Sequence, residues 1–148
     1  MQDHVVAAAD RVLDVKNLQV SFHTPRGPVR AVNGVSFFLR RGERLGLVGE
    51  SGSGKTTTAL SLMRLLQSPA VIEGGEVLLD GKELLSLSDE EMRRTRFAEI
   101  ALVPQGAMNS LNPMMTIGEQ LRDTIRAHST DTTSTIDTRI HAVLTSVD

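Results

Sequence analysis

The sequence predicts an α/β fold, and three consecutive stretches carry that prediction. Residues 45–48 are an apolar run typical of a buried strand. Residues 49–56 fit the glycine-rich pattern G-x-x-x-x-G-K-[ST] of a phosphate-binding loop. Apolar residues then recur at helical spacing, at Ala59, Leu62, Met63 and Leu66. The loop therefore lies between a strand and a helix, which is the position that its chemistry requires.

The glycines of this loop let the backbone approach a phosphate closely and adopt positive φ angles. Successive N–H groups and the helix N-terminus then attract an anion. In such loops the lysine, here Lys55, reaches the β- and γ-phosphates, and the Thr56 hydroxyl ligates Mg²⁺. The alternative is a Gly/Ser-rich turn that happens to precede Lys-Thr, and the two correct flanks disfavour it.

Bulk properties limit the classes of function. The 148 residues amount to about one domain, and 40% of them are apolar, which is enough for a core. A net charge of −2 and 3% aromatic residues give no indication of nucleic-acid binding. The absence of cysteine excludes disulfides and cysteine metal sites. The apolar run at residues 5–9 is too short for a signal peptide or a membrane span, so we expect a soluble protein that meets a membrane only through a partner.

Two antiparallel strand regions are predicted before the loop. Apolar residues from Leu13 to Phe22 alternate on either side of one extra residue near Asn17, which indicates a strand with a bulge. Residues 25–28 predict a turn, residues 29–32 and 35–39 predict further strand pieces, and residues 40–43 turn the chain again. Phe22 is as compatible with a core position as with a ligand contact.

After the first helix, residues 73–75 (Glu-Gly-Gly) are expected to interrupt the pattern. Residues 76–79 predict a strand that ends in an Asp80-Gly81 hairpin turn. This strand followed by Asp80 resembles the strand and aspartate that hold Mg²⁺ in phosphate-loop enzymes. We reject that interpretation because Gly81 follows where many such ATPases have a catalytic glutamate, and because the turn explains Asp80 more simply.

Capping boxes predict two later helices. Ser88 is predicted to cap the start of a short polar helix, and a basic cluster ends that helix. The cluster consists of Arg93, Arg94 and Arg96. We interpret it as a solvated face more readily than as an anion site. Residues 100–103 predict a buried strand, with Gln105 just beyond Pro104, where α/β sheets place ligand contacts. Thr116 opens the second helix, which should run to about residue 127.

The loop of residues 106–115, which begins at Gly106 and ends at Met115, contains three methionines that suit either an adaptable contact surface or core filling. Residues 128–135 predict a Ser/Thr-rich linker, and a further helix follows from Ile136, with Asp137 as a possible cap. We therefore predict two parts, residues 1–127 and residues 128–148.

Phe22, the glycine-rich loop and Gln105 after residues 100–104 together resemble the ATP-binding subunit of an ABC transporter. The stretch Ser-Leu-Asn-Pro-Met-Met-Thr-Ile-Gly-Glu-Gln-Leu at residues 110–121 narrows the resemblance to the dipeptide/oligopeptide/nickel importer group. The similarity extends from about Leu13 to Leu121. The fold implied is a phosphate-loop NTPase (ABC ATPase) core with an antiparallel β subdomain, incomplete at the C-terminus.

The resemblance also implies a set of sites for ATP and Mg²⁺. Phe22 would stack on adenine, and Gln105 would contact Mg²⁺ and the attacking water. Lys55 and Gln105 would be the catalytic residues, and Thr56 and Gln105 the metal contacts. The nucleotide would be bound by Phe22, Gly49, Glu50, Ser51, Gly52, Ser53, Gly54, Lys55, Thr56 and Thr57. The glutamine is followed here by Gly106 and Ala107 instead of an acidic residue and a proline, so the residue-by-residue contacts of this loop are not carried over.

Partners follow from the resemblance as well. Residues 106–115 would contact a transmembrane permease subunit, and a second ATP-binding subunit would form a head-to-tail dimer at the cytoplasmic face of the membrane. The family's Leu-Ser-Gly-Gly-Gln-type signature, Asp-Glu strand end and switch histidine do not occur in this sequence, and His128 and His141 lie in other contexts. We therefore expect the N-terminal part of a longer subunit, unable to hydrolyse ATP alone. Another phosphate-loop NTPase and a non-catalytic nucleotide-binding fragment are the alternatives.

Overall fold

The computed structural model describes residues 10–106 and 111–147. The chain separates into two compact units, one made of the described residues up to Met92 and the other of those from Arg93 onward. The predicted division between residues 127 and 128 stays a prediction. Among the described residues, no helix is both long enough and apolar enough to cross a membrane.

A four-stranded antiparallel sheet forms most of the first unit. Its strands are β1 (Arg11–Thr24), β2 (Gly27–Arg40), β3 (Ala70–Leu79) and β4 (Lys82–Glu83), in the spatial order β2-β1-β3-β4. This confirms the antiparallel β subdomain and the turn between β1 and β2. One face is apolar and supplies the core of the unit, with Leu13, Val15, Leu18, Val20, Val32, Val77 and Leu79 buried.

The bulge predicted near Asn17 is present. Asn17 has a φ of 48°, and the pairing between β1 and β2 shifts between Val15 and Leu18. The shift brings Leu18 onto the same face as Val15, so that the alternation of buried residues continues beyond it. The backbone N–H of Asn17 donates to the Ser36 hydroxyl on β2, at 2.8 Å, which satisfies a donor that the bulge removes from the ladder.

The interruption predicted at residues 73–75 is wrong, because β3 runs through all three residues. The reason is Gly75, which lies opposite the β1 bulge with a φ of +106°. A Cβ at this position would lie 2.6 Å from the Leu18 Cα and 2.7 Å from the Asn17 carbonyl oxygen. Glycine is therefore what lets two bulged strands stay paired. The Asp80-Gly81 turn after β3 is confirmed, with φ angles of 45° and 81° that suit a hairpin.

Helix α1 (Lys55–Leu62) confirms the helix predicted after the loop, whereas the strand predicted before the loop is wrong. Residues 45–48 form no strand, and Leu45, Leu47 and Val48 are 49%, 44% and 94% exposed. An apolar run becomes a strand only where neighbouring strands satisfy its backbone and cover its faces. Among the described residues, nothing pairs with this run.

The second unit contains the end of α2 (Asp89–Thr95) and the helices α3 (Ile117–Arg126) and α4 (Thr133–Thr145). The second capping box is complete: the Glu119 N–H donates to the Thr116 hydroxyl, and the Glu119 carboxylate accepts from the Thr116 N–H. The first is present as well, between Ser88 and Glu91. Ile136 and Ile140 of α4 are buried, and Arg122 of α3 pairs with Asp137 of α4 at 2.7 Å.

Two predictions fail in this unit. Residues 101–103 form no strand, and Val103 is 85% exposed; only Ile100 makes a single bridge, with Arg96. This run lacks partner strands, as residues 45–48 do, among the residues described. Helix α4 begins at Thr133, three residues before the predicted start, because Thr132 rather than Asp137 provides the cap, accepting from the Thr135 N–H.

Candidate functional site

The glycine-rich loop rests against strand β2 at Gly54. This residue has a φ of +87°, and a Cβ built on it would lie 2.4 Å from the Ala31 carbonyl oxygen. Gly52 also has a positive φ, of +79°, but a Cβ there would meet nothing within 4 Å. The two glycines thus serve different purposes. Gly54 allows close packing on the sheet, and Gly52 allows the turn while keeping the loop surface open.

The Lys55 side chain reaches back over the loop. Its Nζ donates to the Gly49 carbonyl oxygen at 2.8 Å, to the Glu50 carbonyl oxygen, and to the Ser53 hydroxyl at 3.1 Å. An ammonium group has three donors, and here all three are directed into the loop. The charge is thereby held over the backbone that a phosphate would approach, and phosphate oxygens could replace the carbonyl acceptors.

Helix α1 begins directly at the loop and has Gly54 as its N-cap, so no side chain caps its first turn. The backbone N–H groups at the start of a helix have no partners within it, and with the helix dipole they form an anion site. The Thr56 hydroxyl belongs to this exposed first turn. Thr58, one turn further, is tied to the Gly54 carbonyl by its N–H at 2.8 Å and by its hydroxyl at 2.9 Å.

A cavity of about 510 Å³ joins the loop to the sheet. Phe22, predicted from the sequence as a ligand contact, lies half-buried at this cavity, opposite Val29 in the β1–β2 pairing. The full lining is Phe22, Val29, Arg30, Ala31, Gly52, Ser53, Gly54, Lys55, Thr56 and Thr57. Its volume is within the range of small-molecule sites. It offers backbone N–H groups and a lysine at one end and an aromatic ring at another, which fits a phosphorylated ligand with a ring system.

No sequence motif marks Val29, Arg30 and Ala31, which also line this cavity. A usable signal existed, because the turn at residues 25–28 places the start of β2 opposite Phe22. Arg30 adds a second positive charge to the site and is exposed.

Gly49, Glu50 and Ser51 begin the loop, and the first two contribute carbonyl oxygens to Lys55. Gln105 lies in the second unit and is exposed. Of the predicted contact loop, residues 107–110 lie outside the described residues, and Met108 is among them.

The described part of the contact loop is fixed by Gln120 of α3. The Gln120 side chain accepts from the Asn112 N–H at 2.9 Å and donates to the Asn112 and Met115 carbonyl oxygens at 3.0 and 3.1 Å. The Asn112 side chain in turn accepts from the Met114 N–H at 3.0 Å. These bonds order a turn that leaves Met114 89% exposed.

Among the described residues, no group of three or more His, Asp or Glu side chains is arranged to hold a metal ion. Among the residues that line this cavity, Thr56 offers a hydroxyl oxygen to a divalent cation, beside water and oxygens of the ligand itself. Magnesium in phosphate-loop sites is usually held by the loop Ser or Thr, by an aspartate, by water and by phosphate oxygens, so Thr56 fits one protein ligand of such a Mg²⁺–phosphate complex.

One exposed acidic residue with a shifted pKa lies near Phe22 in the sheet. The hydrogen bond between Glu73 and the His23 ring, at 2.7 Å, lowers the pKa of the Glu73 carboxyl. His23 is the next residue after Phe22 on β1, and Glu73 belongs to β3. The pair lies outside the cavity lining and links two strands next to it.

The loop, its helix and the aromatic wall define a phosphate-loop protein. The family model described as ABC transporter matches residues 32–148, and the chain belongs to the ABC transporter family. This confirms the resemblance seen in the sequence and sets aside another phosphate-loop NTPase as an alternative.

Similar curated proteins indicate which group within the ABC transporter family the chain resembles. The chain is 48% identical over 120 residues to the oligopeptide transport ATP-binding protein OppD of Escherichia coli, covering 81% of this chain and 35% of the relative. It is 46% identical to the dipeptide transport ATP-binding protein DppD of Lactococcus lactis, covering 82% of this chain and 35% of that one. The chain therefore spans about a third of the length of these relatives.

Solved structures support the fold. The dimeric structure of MJ0796, a bacterial ABC transporter cassette, matches with a TM-score of 0.69 at 21% identity, over 86% of this chain and 53% of that one. A second structure of MJ0796, bound to ADP and Pi in a post-hydrolysis state, matches with a TM-score of 0.70 at 23% identity, over 88% and 54%. The α/β cassette fold predicted from the sequence is thus confirmed.

Proposed function

We propose that this chain is the nucleotide-binding part of an ATPase subunit that powers the import of peptides or a similar small solute across a membrane. The observation that carries the proposal is the cavity shared by the phosphate loop and Phe22. It provides an anion site and an aromatic surface within one pocket, which are the two features that a nucleoside triphosphate requires. The names of OppD and DppD supply the class of solute.

The roles of the residues follow from their chemistry. Lys55 exchanges its carbonyl acceptors for β- and γ-phosphate oxygens, and the N–H groups of the first turn of α1 contact the same phosphates. Thr56 would contribute a hydroxyl to Mg²⁺, which would neutralise part of the phosphate charge when it is bound. Phe22 stacks on the base. Gln105 is the second proposed metal contact and helps to place water; its assignment rests on the family resemblance.

Replacing Lys55 tests ATP binding. Lys55→Ala removes a charge-assisted contact to phosphate, worth roughly 1.5–3 kcal/mol. It should therefore lower the affinity for ATP by about one to two decades. The measurement is a titration with a fluorescent ATP analogue in the presence of Mg²⁺. The matched control is Lys16→Ala, which removes an exposed lysine paired with Glu76 on the sheet and should leave the affinity unchanged. Equal affinities for Lys55→Ala and the unmodified chain would refute the assignment.

We further propose that residues 1–148 alone bind ATP without hydrolysing it at a meaningful rate. Phosphoryl transfer requires the attacking water to be oriented as well as the phosphates to be held. The sequence has residues for holding phosphate, but it has no predicted strand that ends in Asp-Glu and could supply a carboxylate to orient the water. Phosphate release should stay at background for this chain and rise for a chain extended through the family's remaining motifs. Multiple turnovers by residues 1–148 that Lys55→Ala abolishes would contradict this.

The proposed partners are a permease subunit, contacted by residues 106–115, and a second ATP-binding subunit in a head-to-tail dimer. The ordered turn before α3 supports the first assignment, since it presents Met114 to solvent from a rigid base. A flexible thioether is suited to an adaptable contact surface. These partners would place the protein peripherally at the cytoplasmic face of the cell membrane.

A further inference from the structure

The second unit contains a pocket of about 580 Å³ in which positive charge is concentrated. None of the described residues that line it is acidic. We call it the basic pocket, and its lining is Arg93, Arg94, Ala98, Arg126, Ala127, His128, Ser129 and Thr130.

The basic pocket lies where two helices end. Arg93 and Arg94 belong to the last turn of α2, and Arg126 is the last residue of α3. Arginines at such positions offset the negative ends of the helix dipoles, each equivalent to about half a unit charge. Two helix ends thus account for about one negative charge, whereas three guanidinium groups line the pocket. Three guanidinium groups therefore meet at one place in a chain whose net charge is −2.

The arginines can bind a further anion even though they have interactions of their own. Arg93 and Arg94 each have an interaction partner in the chain, and Arg126 donates to the Thr133 hydroxyl at 3.3 Å. A guanidinium group has five N–H donors, so such a partner uses only part of its capacity. The Thr130 hydroxyl adds a neutral donor, whereas the Ser129 hydroxyl is engaged with Asp131. Planar guanidinium groups beside a hydroxyl match the oxygens of a phosphate better than a single carboxylate.

An exposed aromatic residue adjoins the basic pocket. Phe97 precedes the lining residue Ala98, and its ring centroid lies 6.3 Å from that of His128. Its backbone has a φ of 64°, a conformation that is unfavourable for a bulky side chain, and yet the side chain is 66% exposed. A strained residue that gains no burial is a candidate for contact with another molecule. An apolar ring beside phosphate-binding groups suits a lipid surface, where both chemistries occur together.

We propose that the basic pocket binds a phosphate group, presented either by an anionic lipid headgroup or by a soluble phosphate compound. The site is separate from the phosphate loop, which belongs to the first unit, and it does not depend on the proposed ATPase role.

The test is a titration of the ¹⁵N-labelled chain with inorganic phosphate, observed by NMR. The backbone amides of Ser129 and Thr130 should shift saturably. Arg94→Gln combined with Arg126→Gln should weaken this response by about tenfold or more, because two charge-assisted contacts are lost. The control is Arg26→Gln combined with Arg41→Gln, which removes the same charge from exposed residues of the first unit and should leave the response unchanged.

Two further arms make the result decisive. Arg94→Lys combined with Arg126→Lys keeps the charge and should retain most of the binding, which excludes misfolding as the cause of the loss. Co-sedimentation with phosphatidylglycerol vesicles separates the two sources. Binding that is lost in the glutamine variant assigns a lipid headgroup, and phosphate shifts without such vesicle binding assign a soluble compound.

The proposal is overturned if Ser129 and Thr130 show no saturable shift, or if the glutamine variant shifts as the unmodified chain does. The amides of Gly52 and Lys55 report on the phosphate loop in the same spectra, so that failure of one site is distinguishable from failure of the other.

Discussion

Strand β1 and residues 45–48 contain the same kind of apolar side chains in very different surroundings. Leu18 and Val20 of β1 are completely buried, whereas Leu47 is 44% and Val48 is 94% exposed. The strands β2 and β3 pair with β1 on its two sides, while residues 45–48 form no strand pairs among the described residues. Burial therefore follows backbone pairing, because an unpaired segment must keep its N–H and C=O groups in contact with water.

The difference bears on the candidate site, because the two regions contribute different parts of it. Phe22 and Val29 belong to paired strands, which hold the wall of the cavity in a fixed register. The phosphate loop follows the unpaired residues 45–48, and Gly54 and helix α1 anchor its other end. The wall is thus fixed by the sheet, and the loop is fixed mainly from its helical end.

The largest expected effect is on the free energy of unfolding, and it distinguishes strand β1 from residues 45–48. Leu18→Ala should lower the free energy of unfolding by roughly 2–5 kcal/mol, because it opens a cavity in a fully buried position. Leu47→Ala is the matched control and should change it by less than about 0.5 kcal/mol, as expected for a partly exposed side chain. Chemical denaturation of both variants measures this. A loss at Leu47 equal to that at Leu18 would mean that residues 45–48 are a buried strand after all.

A smaller effect is expected at the capping box of α3, in the second unit. Thr116→Ala removes the side-chain cap and should lower the free energy of unfolding by about 1 kcal/mol. The backbone N–H and then the hydroxyl of Thr116 lower the pKa of the Glu119 carboxyl below 4.5. A carboxyl with a lowered pKa stabilises the fold above its unfolded-state pKa and loses that contribution as the pH falls through the folded value.

The unmodified chain should accordingly exceed Thr116→Ala in stability by the largest amount at neutral pH. This difference in stability should shrink as the pH falls below about 4.5. Thermal unfolding of both chains across this range measures it. Thr124→Ala, within the same helix, is the control and should show no such trend. A difference that is independent of pH would exclude the Glu119 carboxylate from the cap.

Local patterns predicted the elements that local interactions determine. The bulge at Asn17, the Asp80-Gly81 turn and both capping boxes depend on residues close in sequence or on an adjacent strand, and all are present. The failures at residues 45–48 and 100–103 have one cause, since an apolar run does not reveal whether a partner strand is available. Gly75 shows the converse, because its role became visible only when the bulge of β1 lay opposite it.

For the candidate site, the sequence identified the loop through its motif and Phe22 through the family resemblance. It did not indicate Val29, Arg30 or Ala31, since no motif marks them and only the β1–β2 register brings them to the cavity.

The measurement that tests the central claim most directly compares ATP with inorganic triphosphate. In this account, one cavity binds the phosphates at the loop and the base at Phe22. Phe22→Ala should therefore weaken ATP binding by about 1–3 kcal/mol, because a base stack is lost, and leave triphosphate binding unchanged. Lys55→Ala should weaken both, and Phe97→Ala, which removes an exposed ring outside the cavity, should weaken neither. Equal losses of ATP and triphosphate in Phe22→Ala would contradict the account and leave Phe22 as a structural residue of the sheet.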